Sequence, residues 1–185
     1  MKSILIGGDL GFASIGISVA TFDNGIVTPI QMRVIRTKKS NEGSVSEDNF
    51  NRARFIYHEI LKSIPIASID NVIIFIEAAS ASRDASAAGK VSLCFGVLAA
   101  IAAEHNIQVV QNSPQKIKKI LCGKTSASKE EVEQALRNIF TTTDFDSMLK
   151  QSKVPKGLYE HAFDALGAIV AGSLSEGIDI RGQKC

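Results

Sequence analysis

The chain of 185 residues has no tryptophan, two tyrosines, four prolines and three cysteines, and its 21 Lys and Arg are nearly balanced by 19 Asp and Glu. Each shortage excludes something. Cys94, Cys122 and Cys185 are an odd set without metal-ligand spacing, so neither a disulfide framework nor a zinc site is expected, and reduced thiols in a cytoplasmic compartment are. The longest apolar stretch, residues 91–103, is broken by Ser92 and interleaved with glycine and alanine, so it reads as a buried helix too short and mild to span a bilayer. Lys2 is not followed by an apolar segment with a small-residue cleavage site, so no signal peptide and no membrane partner are expected. A net charge of +2 is too small to announce a polyanionic partner. The average conceals a cluster, however: residues 114–129 carry Lys116, Lys118, Lys119, Lys124 and Lys129 and no acid. A solvated helix face accounts for such a run as readily as nucleic-acid binding does.

What is present is an ordinary globular composition, 45% hydrophobic and 22% charged, expected to form one domain over residues 1–185. Residues 4–8, 14–21 and 26–36 are β-branched, apolar-rich runs separated by Asp9-Leu10-Gly11-Phe12 and by Asn24-Gly25, which predicts three antiparallel strands. Residues 37–48 turn polar and aperiodic and read as a mobile loop; residues 49–64 carry apolar residues at helical spacing. Val72-Ile73-Ile74-Phe75-Ile76 is a continuous apolar run that stops at Glu77, as a strand buried on both faces would. Residues 78–88 read as a polar loop leading into the buried helix, and 107–110 as another strand. Pro114 can start a helix, Ser128 caps one over 129–140, and a last helix is predicted over 158–174. The order predicts a mixed α/β domain with an antiparallel opening and a parallel continuation.

Three acids sit where acids are awkward. Asp9 is the only charge in an apolar strand-turn-strand segment and precedes Gly11, which would let a substrate backbone come close. Glu77 ends a strand that should be central, where ligand sites of open α/β sheets gather. His161 and Asp164 are three residues apart on one face of an otherwise small and apolar helix, an expensive arrangement unless a metal or substrate satisfies it. Singly, these are a turn residue, a solvated strand end and a helix cap. Together they form an oxygen-rich set suited to magnesium or manganese.

Four ordered segments carry a likeness: residues 4–19 with Asp9 and Gly11; Glu77 after its strand; Ser113-Pro114-Gln115-Lys116-Ile117-Lys118-Lys119 with Gly123 and residues 127–132; and His161-Ala162-Phe163-Asp164-Ala165-Leu166. Together they resemble the RuvC-type Holliday junction resolvases of the RNase H-like superfamily, over a core from about residue 4 to about 172. The resemblance implies an RNase H-like fold with a five-stranded mixed sheet flanked by helices. It implies a homodimeric endonuclease that nicks four-way DNA junctions in symmetric pairs, in the cytoplasm of a bacterial or phage-infected cell. It implies Mg2+ or Mn2+, two ions per site, on Asp9, Glu77 and Asp164, with His161 standing where many members have a fourth aspartate and some a histidine. Lys116, Lys119, Lys124 and Lys129 would face DNA, and Arg83 is counted with them. His161 would either share an ion with Asp164 or deprotonate the attacking water.

Two departures from the family pattern matter: Ala78-Ala79-Ser80 stands where bacterial members present a junction-opening aromatic, and the loop around Arg83 differs in character. They leave open a debranching nuclease acting on forks and flaps as well as junctions. A non-catalytic junction-binding protein is a third reading, opposed by the retention of all three acids. Actin-like sugar kinases share the strand-Asp-x-Gly-strand opening, but 185 residues cannot hold both of their lobes.

Overall fold

A computed structural model describes residues 3–64, 71–79 and 84–177. β1 (Ser3–Leu10), β2 (Ser14–Asp23) and β3 (Ile26–Arg36) form an antiparallel meander. Its second turn needs the residues the sequence supplies, with Asn24 at φ 50° and Gly25 at φ 81°. α1 (Val45–Leu61) then crosses to β4 (Val72–Glu77), which lies parallel to β1, and α2 (Ala85–Glu104) crosses to β5 (Gln108–Asn112), parallel to β4. The sheet order is β3-β2-β1-β4-β5, the mixed five-stranded sheet expected. α3 (Pro114–Cys122), α4 (Lys129–Ile139), α5 (Phe145–Gln151) and α6 (Tyr159–Ser175) follow.

Strand alternation divides the apolar residues between two cores. Leu5 and Phe75 face α6 with Ile117, Leu136, Phe145 and Phe163, whereas Ile6, Ile74 and Ile76 face α1 and α2 with Ile56, Ile60 and Leu98. β4 is thus buried on both sides, as its unbroken apolar run requires.

α6 lies against the sheet more closely than side chains allow. A Cβ on Gly7 would stand 1.9 Å from the Ala165 carbonyl oxygen, and one on Gly16 would stand 1.8 Å from that of His161. Two strand positions without side chains let helix backbone touch sheet backbone. The buried Ser18 hydroxyl adds a hydrogen bond, donating to the Ala162 carbonyl at 2.7 Å.

Five points differ from expectation. A capping box between Ser44 and Glu47 starts α1 at Val45, so residues 45–48 are helical, and the shorter loop before them is tied down by Ser40 N–H donating to Asp48 at 2.8 Å. Asp84 caps α2 by accepting from Ser86 N–H, so residues 85–88 are helical too; residues 80–83, Arg83 among them, lie outside the described residues. α2 is not buried: only Cys94, Leu98, Ile101 and Ala102 are, and Leu93 is 40% exposed. At 20 residues and a mean hydropathy of 1.7, it has the length and composition of a membrane-crossing helix, so the expected shortness does not hold. α5, capped by Asp144, was not foreseen; it seats Phe145 edge-on against Phe163 of α6 at 5.4 Å between ring centroids.

Replacing Gly16 with alanine forces α6 off the sheet. The expected outcome is a loss of about 1–3 kcal/mol, read as a fall of about 3–10 °C in the thermal midpoint; an unchanged midpoint would show that the helix-sheet contact yields freely.

Candidate active site

Asp9 lies near the end of β1, partly buried between Gly8 and Leu10, and the parallel register that sets Gly8 beside Ile76 brings Glu77 level with it on the neighbouring strand. Both side chains point to the α6 face, in phase with Gly7 and Phe75. The close seating of α6 then delivers His161 and Asp164 over the same strand ends. His161 Nδ1 lies 2.7 Å from Asp9 Oδ2. Because an ionised carboxylate only accepts, Nδ1 carries the proton of that bond, and Nε2 of the neutral ring keeps a free lone pair.

The electrostatics are those of crowded acids. Burial, then Asp164 and Asp9, push the Glu77 carboxyl up to about 7. Burial, then Asp9, push Asp164 up to about 6. The bond to Asp9 raises His161 against the opposing effect of burial. Among the described residues, no lysine or arginine pairs with Glu77 or Asp164: Lys118 and Lys129 only ease the charge on Glu77 from a distance, and Lys129 Nζ is engaged by Glu160 at 2.7 Å. Nor do three His, Cys, Asp or Glu side chains among them close to a spacing that would hold one ion. The donor chemistry nevertheless fits a hard divalent cation. Three carboxylates, two of them raised above the ordinary range by burial and by the other acids, are the set such an ion would neutralise.

The turn that carries Asp9 is pinned from outside. Phe12 O accepts from Thr37 Oγ1 at 2.6 Å and from Arg52 Nη2 at 3.3 Å, and Ala13 O accepts from Thr37 N–H at 3.0 Å. Arg52 also donates to Thr37 Oγ1 at 2.6 Å and stacks its guanidinium 4.1 Å from the Phe12 ring centroid. Gly11 serves this turn rather than an approaching ligand, since a Cβ there would stand 2.6 Å from Ser14 O. Thr37 and Arg52 escaped the sequence reading. The spacing of Asp48 and Arg52 suggests a helical pair, which exists at 3.5 Å, but nothing in it points to Phe12.

The lysines divide. Lys116 and Lys119 stand exposed on α3, whose buried residue is Ile117, and Ser113 caps that helix directly beyond β5. Lys118 is half-buried and is the α3 cation felt at Glu77, a role the sequence did not reveal. Lys124 Nζ pairs with Glu131 at 2.5 Å. Lys129 borders a cleft shared with Lys156, Tyr159, Glu160, Phe163 and Asp164, so it adjoins the acids.

Residues 5–153 match the model of the family described as "Crossover junction endodeoxyribonuclease RuvC". That match ends before α6, and therefore before His161 and Asp164. A protein of the same description from Natranaerobius thermophilus is 26% identical over 170 residues, covering 92% of this chain and 94% of its own. One from Pseudothermotoga lettingae is 28% identical over 134 residues, covering 72% and 78%. Among solved structures, T. thermophilus RuvC in complex with Holliday junction substrate superposes with a TM-score of 0.72 at 22% identity, covering 96% of this chain and 97% of that one. This last likeness is one of fold.

The acids impose a pH dependence on the metal-free protein. Folded Glu77 and Asp164 hold protons at pH values where the unfolded chain has released them, so stability falls as pH rises from the ordinary carboxylate range to about 7. His161 acts in the same sense: stabilised as the cation, it contributes below its unfolded pKa and loses that contribution as pH rises through the folded one. Thermal melts in chelator should therefore show a lower midpoint at about pH 7.5 than at about pH 5. Glu77→Gln should flatten that slope; an equal slope in the variant would mean that Glu77 is not crowded.

Proposed function

This chain belongs to the RuvC family of crossover junction endodeoxyribonucleases, and we propose that it resolves four-way DNA junctions by paired, symmetric, metal-dependent nicks. The observation that carries the reading is the gathering of Asp9, Glu77, His161 and Asp164 at one end of the parallel strands. Asp9, Glu77 and Asp164, with Nε2 of His161, would hold two Mg2+ or Mn2+ ions. Bound there, these would lower the pKa of the attacking water and stabilise the charge growing on the leaving 3′ oxygen. The protein supplies the rest. Asp9 orients the imidazole through Nδ1, leaving Nε2 to take a proton or a metal. The glycine contacts fix α6, so the acids on it and on the sheet keep one spacing. Lys116 and Lys119 would meet phosphates, positioning the arms without reading sequence, and Lys124 and Lys129 would join them by exchanging Glu131 and Glu160 for DNA.

Paired nicks need two sites, and α1 and α2 offer the surface for a second copy. Phe50, Tyr57, Leu93 and Val97 line an apolar groove in which Phe50 is 64% and Leu93 40% exposed. Joined across it, two protomers would present two acid clusters to one junction. Leu93→Asp should give a folded monomer by light scattering that no longer makes coupled cuts; a dimer that persists would move the interface elsewhere.

The functional test is nicking of a labelled mobile four-way junction with magnesium or manganese, beside a fork and a linear duplex. Symmetric cuts on the junction alone, lost in Asp9→Asn, are expected. Equal cutting of forks would make the protein a general debranching nuclease, and tight binding without cleavage would make the acids structural. In the same assay, a His161→Asp variant with unchanged activity and metal preference would deny the imidazole any distinct role.

A further inference from the structure

Asn112 ends β5 and is 2% exposed, yet among the described residues neither its side-chain Nδ2 nor its Oδ1 has a hydrogen-bond partner. A buried amide left unpaired at both ends is costly, and a strand position that wanted only packing would hold Val or Leu. Its place is specific. β5 runs parallel to β4 in a register that sets Val110 beside Phe75 and Asn112 beside Glu77. Phe75 and Val110 both pack in the core beneath α6, so two residues further on Asn112 and Glu77 share that face at the end of the sheet. The backbone around the amide is fixed: Ala78 N–H donates to Asn112 O at 2.8 Å, and Ser113 begins α3 as its cap, accepting from Lys116 N–H at 3.2 Å. The side chain is therefore held beside the carboxylate by elements that do not depend on it.

We propose that Asn112 is a positioning residue of the acid site, its amide reserved for the Glu77 carboxylate, and for water upon it, when that carboxylate carries a divalent cation. The inference rests on the metal-dependent reading of the site. A group that orients a metal-bound carboxylate without touching the ion sets how well the ion is held. Kept unpaired until then, the amide trades stability of the free protein for affinity.

The test uses Asn112→Leu, which branches at Cγ as Asn does but is larger, and the smaller Asn112→Val in case Leu overpacks, each melted in chelator and then across a titration of MnCl2, beside wild type and Asp9→Asn. Ion binding to the folded state raises the midpoint with concentration, so the titration reads affinity without any cleavage. The expected result is a metal-free midpoint unchanged or about 2–4 °C higher, together with half-saturation at about tenfold more Mn2+. A merely structural asparagine would behave in the opposite way. If both variants melt lower in chelator, the amide has a structural partner and the proposal falls. If their titrations coincide with that of a wild type that responds while Asp9→Asn does not, Asn112 has no part in the site and this inference alone is overturned. A wild type without any response removes the metal reading and the inference with it.

Discussion

Everything at the strand ends depends on backbone meeting backbone where α6 crosses β1 and β2. With Gly7 and Gly16 the helix sits directly on the sheet, and the Ser18 hydroxyl holds a carbonyl of its first turns. An ordinary side chain at either position would lift the helix, and His161 and Asp164 with it, away from Asp9. The fit is steric before it is electrostatic. Packing strong enough to bury α6 almost completely holds together carboxyl groups that repel one another.

The site is consequently under tension that other parts of the fold contain. Burial and mutual repulsion hold the Glu77 and Asp164 carboxyls above their ordinary range, and the nearest lysine of α4 is occupied by Glu160. Opposite, the turn after Asp9 is clamped by Thr37 and Arg52, and Arg52 belongs to the helix whose other side forms the apolar groove. One helix thus borders both the clamp and the proposed contact between copies, and a shift of α1 would be felt at the Asp9 turn through a guanidinium and a phenyl ring.

Much of this was legible in the residues. Apolar runs and the Asn24-Gly25 turn predict the five strands, and the placement of Asp9 and Glu77 at strand ends follows from where those runs stop. The match of residues 5–153 to the RuvC family agrees with the resemblance read from the motifs, although His161 and Asp164 lie beyond it. What escaped has physical causes. α2 is apolar on every side, so its composition cannot say which face is covered, and it read as buried although most of it is not. α5 is too short for periodicity to show. Gly7 and Gly16 look like strand glycines until the helix that touches them is seen, because the contact joins segments about 150 residues apart, a distance no local pattern spans. Arg52 on Phe12 is of the same kind.

That distance also bears on when the protein can work. Asp9 and His161 are 152 positions apart, and Asp164 lies further still, so the cluster exists only once α6 has left the ribosome and docked. Strands β1 to β5 can pair earlier, and the lysines of α3 can be in place, while the acids remain an incomplete set. On the proposed reading, a partly made chain would hold DNA without the means to cut it, and cleavage would wait for α6 to dock.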